Sequence, residues 1–60
     1  MKKIDLIANA SSEANELIKQ LIKNNYCVNH IYTGSDTPVL KDNDNFIIGA
    51  NNIRLHYIKN

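Results

Sequence analysis

Sixty residues, 43% of them hydrophobic, carry seven basic and six acidic side chains in interspersed order for a net charge of +1. That composition argues for one small folded domain, residues 1–60, and against disorder. It also argues against nucleic acid as a partner, because no stripe of Lys and Arg exists to track phosphates.

The N-terminal Met1-Lys2-Lys3 is followed by Ile4-Asp5 rather than by a long apolar run. Neither a signal peptide nor a membrane span is expected, and the chain reads as cytoplasmic. A domain this small buries only about 60% of its unfolded surface. Cys27 is alone, and His30 and His56 are widely spaced lone imidazoles, so neither a disulfide nor a closed zinc site is available. Stability must come from an efficient two-layer core or from self-association as a homodimer.

The elements follow in order. Residues Lys3 to Ala8 alternate, with Ile4, Leu6 and Ala8 on one face and Lys3, Asp5 and Ile7 on the other, which predicts a half-buried strand. Ser11 or Ser12 suits a helix N-cap. Glu13 and Glu16 favour the positive end of the helix dipole, and Lys19 and Lys23 the negative end. Ala14, Leu17, Ile18, Leu21 and Ile22 recur at helical spacing and predict one buried stripe on a helix from about Ser12 to Asn24. Asn24-Asn25 stops it, since Asn tolerates the left-handed conformation. Tyr26 to Tyr32 is a second strand, with Cys27 expected to be a small, partly buried hydrophobe, the alternative being an exposed thiol open to adventitious dimer formation. Strand, helix and strand in succession predict a right-handed unit with parallel strands.

Thr33-Gly34-Ser35-Asp36 is loop chemistry. Pro38 to Lys41 and Asn45 to Ile48 then bracket Asp42-Asn43-Asp44 as the two arms of a hairpin. The pattern from Asn51 to Asn60 is even-handed. Ile53, Leu55 and Tyr57 alternate as in a strand, while Ile53 with Tyr57 and Leu55 with Ile58 suit a short helix capped by Asn51 or Asn52.

A strand, a helix beginning Ser11-Ser12-Glu13-Ala14, a strand, and then Thr37-Pro38 opening a hairpin that ends in Ile48-Gly49 resembles the glutaredoxins and the small thioredoxin-like hydrogen donors. The resemblance covers nearly the whole chain. It implies an α/β, minimal thioredoxin-like (glutaredoxin-like) two-layer fold in the order β-α-β-β-β-α, with a four-stranded mixed sheet whose first strand lies between the second and third. It tips the tail toward a helix, because the family's Ile-Gly-Gly-x-Asp segment leads into one and here reads Ile48-Gly49-Ala50-Asn51-Asn52. The family's middle helix is missing, and only Thr33 to Thr37 remains. Five residues reach about 16 Å and crossing one intervening strand needs about 10 Å, so the short loop suffices. Losing that helix uncovers one sheet face, in keeping with a wet Lys3 and Asp5.

The same resemblance locates a site. The family's nucleophilic and resolving cysteines fall at Ser11 and Ala14. A helix N-terminus lowers a thiol pKa there, but Ser11 cannot form a mixed disulfide and Ala14 cannot resolve one. The implied function is a thiol–disulfide oxidoreductase scaffold, inactive as written, whose cysteines are either absent by nature or replaced by design. The alternative is a naturally redox-inactive binding module. The resemblance further implies a cis Thr37–Pro38 bond beside Ser11, with the Thr37 main chain offered to an extended substrate; on the residues alone, Pro38 fits a trans-proline opening a strand. Asn51 and Asn52 fall where the family holds the amino end of glutathione, while Ala8 stands where a basic residue is common. No cofactor or metal is implied. The partners would be a disulfide-containing protein or peptide, or glutathione as a co-substrate.

Overall fold

A computed structural model describes residues 1–59 and has the order β1 (Lys2–Ala8), α1 (Ser12–Lys23), β2 (Tyr26–Tyr32), β3 (Val39–Asp42), β4 (Asn45–Ile48) and α2 (Ala50–Tyr57). This is the β-α-β-β-β-α order that the sequence predicts, and the tail is helical. Its last residue, Asn60, lies outside the described residues. The four strands form one mixed sheet in the order β2-β1-β3-β4. β1 runs parallel to β2, with Ile4 opposite Val28 and Leu6 opposite His30, and antiparallel to β3, with Leu6 opposite Leu40. β3 and β4 form the hairpin. Its turn is tighter than expected, because Asp42 belongs to the strand and Asn43 alone takes a left-handed φ of 55°.

Both helices lie against one face of the sheet. Ile4, Leu6 and Ala8 from β1, Ala14, Leu17 and Leu21 from α1, Leu40 from β3 and Ile53 from α2 form a single buried cluster. α1 starts at Ser11, whose Oγ accepts from the Ala14 N–H at 3.1 Å, and ends where Asn25 adopts a left-handed φ of 70°. α2 starts at Gly49, whose φ of 96° would strain any residue with a Cβ. The helices meet through Arg54 Nε donating to Gln20 Oε1 at 3.3 Å, and the Lys59 N–H donates to Asn24 Oδ1 at 3.0 Å.

Two core expectations need correction. Ile22 is not buried but 53% exposed. One residue is about 100° of helix, so Ile22 turns away from the Leu17–Leu21 seam, on the side of α1 opposite the Gln20 and Asn24 contacts with the C-terminal region. That side lies toward β2, the edge strand, beyond which no strand remains to cover it. Cys27 is exposed rather than partly buried. It pairs with Lys3 and so shares the face opposite the helices, whereas Tyr26, Val28 and His30 are half-buried on the helix side.

At the end of the sheet away from the start of α1, Asp42 is buried and holds a polar cluster. Lys2 Nζ lies 2.8 Å from Asp42 Oδ2, and the Tyr57 hydroxyl donates to the same oxygen at 2.7 Å. Tyr57 also packs against Tyr26, with ring centroids 5.5 Å apart at a tilt of 58°. The hydrogen bonds from Lys2 and Tyr57 hold the Asp42 carboxyl below its ordinary value. Burial, then the bond to Asp42, pushes the Tyr57 phenol up to about 12.

Candidate functional site: a cleft at the start of the first helix

The loop between β2 and β3 crosses the end of β1 and lies beside the first turn of α1. Short polar side chains hold it there. The Thr33 N–H donates to Ala8 O at 3.1 Å, extending the parallel pairing by one residue. Asn9 ties loop and helix together: its Oδ1 accepts from the Ser11 N–H at 3.2 Å and its Nδ2 donates to Asp36 Oδ1 at 3.3 Å. Within the loop, Thr33 Oγ1 accepts from the Ser35 N–H at 3.4 Å and Ser35 Oγ from the Thr37 N–H at 3.2 Å. These are the local side-chain turns that Ser, Thr and Asn favour.

The result is a shallow cleft open to solvent, with Ala8, Ala14, Leu17, Pro38 and Ala50 on its walls and Asn9, Ser11, Glu13 and Asp36 as its polar lining. Ser11, Ala14 and Pro38 therefore share one site although they are distant in sequence. Thr37, Asn51 and Asn52 do not line it. Thr37 is exposed, and its N–H is already bonded to Ser35 Oγ. Asn51 and Asn52 are exposed on the first turn of α2, where Asn52 Nδ2 donates to Ile48 O at 2.9 Å and neither side chain caps the helix.

The Thr37–Pro38 bond is trans, since the described residues contain no cis peptide bond. The expectation of a cis bond is corrected, and the reason is visible in the hairpin. The Gly49 N–H donates to Pro38 O at 2.8 Å, extending the β3–β4 pairing beyond Val39 opposite Ile48. Pro38 thus opens a strand, a position that needs no proline N–H. The preceding turn is made by Ser35 and Thr33, so the loop reverses without a cis bond, and the trans form has the intrinsic advantage of about 0.5–1 kcal/mol.

Chemically, the cleft offers hydrogen bonds and carboxylates. Ser11 Oγ is engaged as a helix cap. The cleft lining contains no sulfur, and Cys27 lies across the sheet. Among the described residues no three His, Cys, Asp or Glu side chains converge as metal ligands. His30 is half-buried beneath Tyr32, with ring centroids 3.9 Å apart, and its Nε2 lies 3.0 Å from Ala8 O. Because a carbonyl can only accept, Nε2 carries the proton there, and the ring is a strut between β2 and β1. His56 is exposed on α2.

The sequence reading missed Asn9 and Asp36. Asn9-x-Ser11 ahead of a helix is a legible turn signature, but only the fold shows that the Asn9 side chain also reaches 27 residues along the chain. Replacing Ser11 by Ala should cost about 1 kcal/mol through loss of the cap. Urea unfolding would measure it, and an unchanged midpoint would show that the hydroxyl does not hold the helix start.

No helix among the described residues is long and apolar enough to cross a membrane. No protein-family model, curated protein or solved structure matches this chain.

Proposed function

We propose that this chain is a redox-silent scaffold of the glutaredoxin-like kind that acts by binding a peptide segment rather than by thiol–disulfide exchange. The observation that carries the reading is the shared cleft of Ser11, Ala14 and Pro38 at the N-terminus of α1. The family's two cysteines would be needed at 11 and 14, and a hydroxyl and a methyl group stand there instead. The β-α-β-β-β-α order and the central position of β1 support the scaffold half of the proposal. The trans Pro38 and the internally bonded Thr37 N–H weigh against the family's usual main-chain substrate clamp. Binding is therefore assigned to the cleft itself.

Its lining selects the ligand. The apolar walls suit a short aliphatic stem, and the Glu13 and Asp36 carboxylates suit a cationic end. Glutathione, whose two carboxylates outnumber its single ammonium, carries a net negative charge that the acidic lining disfavours. A blocked lysine-containing tripeptide should shift the amide resonances of Ser11, Asp36 and Ala50 in an NMR titration, and reduced glutathione should not. Shifts from neither probe would end the binding reading, and shifts from glutathione alone would reverse the choice of ligand.

The scaffold half has its own test. As written, the protein should reduce a model disulfide no faster than its Cys27→Ser variant. Ser11→Cys combined with Ala14→Cys should form an internal disulfide, because Ser11 Oγ already reaches the Ala14 N–H at 3.1 Å. The outer thiol of the reduced pair should titrate below its free value of about 8.5. A restored pair that neither oxidises internally nor reduces a disulfide would remove the redox ancestry from the proposal.

A further inference from the structure

The face of the sheet turned away from both helices carries a second pattern, independent of the cleft. Following the register across the strands, Ile31 of β2, Ile7 of β1, Val39 of β3 and Ile48 of β4 stand side by side in one continuous aliphatic row. The adjacent row on the same face reads Asn29, Asp5, Lys41 and Phe46. Ile31, Phe46 and Ile48 are 41%, 58% and 60% exposed. No element among the described residues packs on this face, because the connection that could have supplied a covering helix is only the short loop between β2 and β3. A contiguous apolar band of this kind on a small domain marks an interaction surface.

We infer that this face is covered by a second copy of the chain, in a two-fold dimer whose axis runs parallel to the strands, between β1 and β3. The order of residues within the rows argues for this occupant and this axis. Rotation about that axis lays the β1 of one copy over the β3 of the other and β2 over β4. Ile7 then faces the partner's Val39, and Ile31 faces the partner's Ile48. In the next row Asp5 faces the partner's Lys41, and Lys41 faces the partner's Asp5. The face is self-complementary in both shape class and charge, as an isologous contact requires. Within one copy, Asp5 and Lys41 are strand neighbours yet form no ion pair; the ion pair among the described residues joins Lys2 and Asp42. Asp5 Oδ1 accepts from Asn29 Nδ2 at 3.3 Å but meets no cation within its own copy, so both charges remain to be neutralised across the interface. An axis along the rows instead would set Ile7 over Ile7 and carry the charged rows apart, so the two geometries are distinguishable by charge alone.

The size of the face is adequate. The molecule measures 27 × 24 × 18 Å, so one broad face offers at most on the order of 500 Å² per copy, at the small end of specific interfaces. The dimer is thus a reversible one, with two sheets packed face to face about 10 Å apart.

Sedimentation velocity over a dilution series in reducing buffer tests the inference. The chain should pass from dimer to monomer on dilution. Asp5→Lys and Lys41→Asp should each raise the dissociation constant about tenfold or more, because like charges then oppose twice across the axis. Combining the two reversals should bring the constant back toward that of the unaltered protein. Ile48→Lys, at an exposed edge-strand position, should leave only monomer while its circular dichroism stays that of the folded chain. A chain that is monomeric up to millimolar concentration would overturn the proposal. So would a dimer whose strength ignores the charges at positions 5 and 41, since that dimer would use another surface, such as the β2 edge. Neither result bears on peptide binding at the α1 cleft, which lies at the end of β1 on the helix side.

Discussion

Replacing Leu21 by Ala should remove much or all of the stability of this domain. Leu21 is fully buried, in the cluster where α1 meets β1, β3 and α2. Deleting a buried Leu down to Ala costs about 2–5 kcal/mol, the transfer of the lost methyls plus the cavity left behind. The whole stability of a 60-residue chain is roughly 3–9 kcal/mol at 0.05–0.15 kcal/mol per residue. The melting temperature should therefore fall by roughly 10–40 °C, since each kcal/mol is worth about 4–8 °C at this size. Ile22 is the internal control. It is the next residue on the same helix, but it is 53% exposed, and its truncation to Ala should stay within about 0.5 kcal/mol. Thermal melts of the two variants followed by circular dichroism would decide the matter; equal losses would mean that α1 does not sit on the sheet by its Leu17–Leu21 seam.

The second large effect belongs to Asp42. Its carboxylate accepts from both the Lys2 ammonium and the Tyr57 hydroxyl. Asp42→Ala should cost about 1–3 kcal/mol, because it strips the half-buried phenol of its acceptor. Asp42→Asn, which retains an acceptor oxygen, should recover part of that loss. The pH profile follows from the directions of the shifts. The Asp42 carboxyl titrates below its ordinary 3.8 in the fold, so its contribution is present above the unfolded value and is lost as pH falls through the folded one. Tyr57 is raised from 10.0 to about 12, and Lys2 is raised above its ordinary 10.5 chiefly by the hydrogen bond to Asp42. The Tyr57 contribution is complete below about pH 10 and disappears as pH rises through about 12, and that of Lys2 is likewise present below its unfolded value and lost at higher pH. Melting temperature measured across the alkaline range should fall between pH 10 and 12, and Tyr57→Phe should flatten that fall. An alkaline profile identical in the two proteins would show that the phenol is not tied to Asp42 in solution.

Much of the fold was written into local pattern. Alternation from Lys3 to Ala8 and from Tyr26 to Tyr32, the Ser11 cap, the Asn24-Asn25 stop and the polar turn before Asn45 each act over a few residues, and the structure holds all of them within a residue or two. The pairing of Ser11 with Ala14 at the helix start came instead from the resemblance to the glutaredoxins, and the structure places both residues on the cleft lining. Pattern over a short window could not rank Ile22 against Ile18, because both lie within a generous helical stripe. Only the width of the sheet under α1 decided that Ile18 is half-buried and Ile22 exposed. Cys27 likewise alternates correctly, but which face of β2 is covered depends on the side of the sheet the helices occupy.

The tail shows the same division. Ile53, Leu55 and Tyr57 fit either period, and the helix prevails in the fold, with Ile53 completing the core and Tyr57 reaching Asp42. Pro38 is decided by partners rather than by its own ring. Its carbonyl is held by Gly49 across the hairpin, and its neighbours are turned by Ser35 and Thr33, so a trans bond serves. Sequence alone placed the first five elements to within a residue or two, since caps, turns and periodicity are local energies. The tertiary structure alone decided which faces are dry and which distant residues meet, from Asn9 with Asp36 to the aliphatic row of Ile31, Ile7, Val39 and Ile48, because burial and register are properties of the assembled sheet.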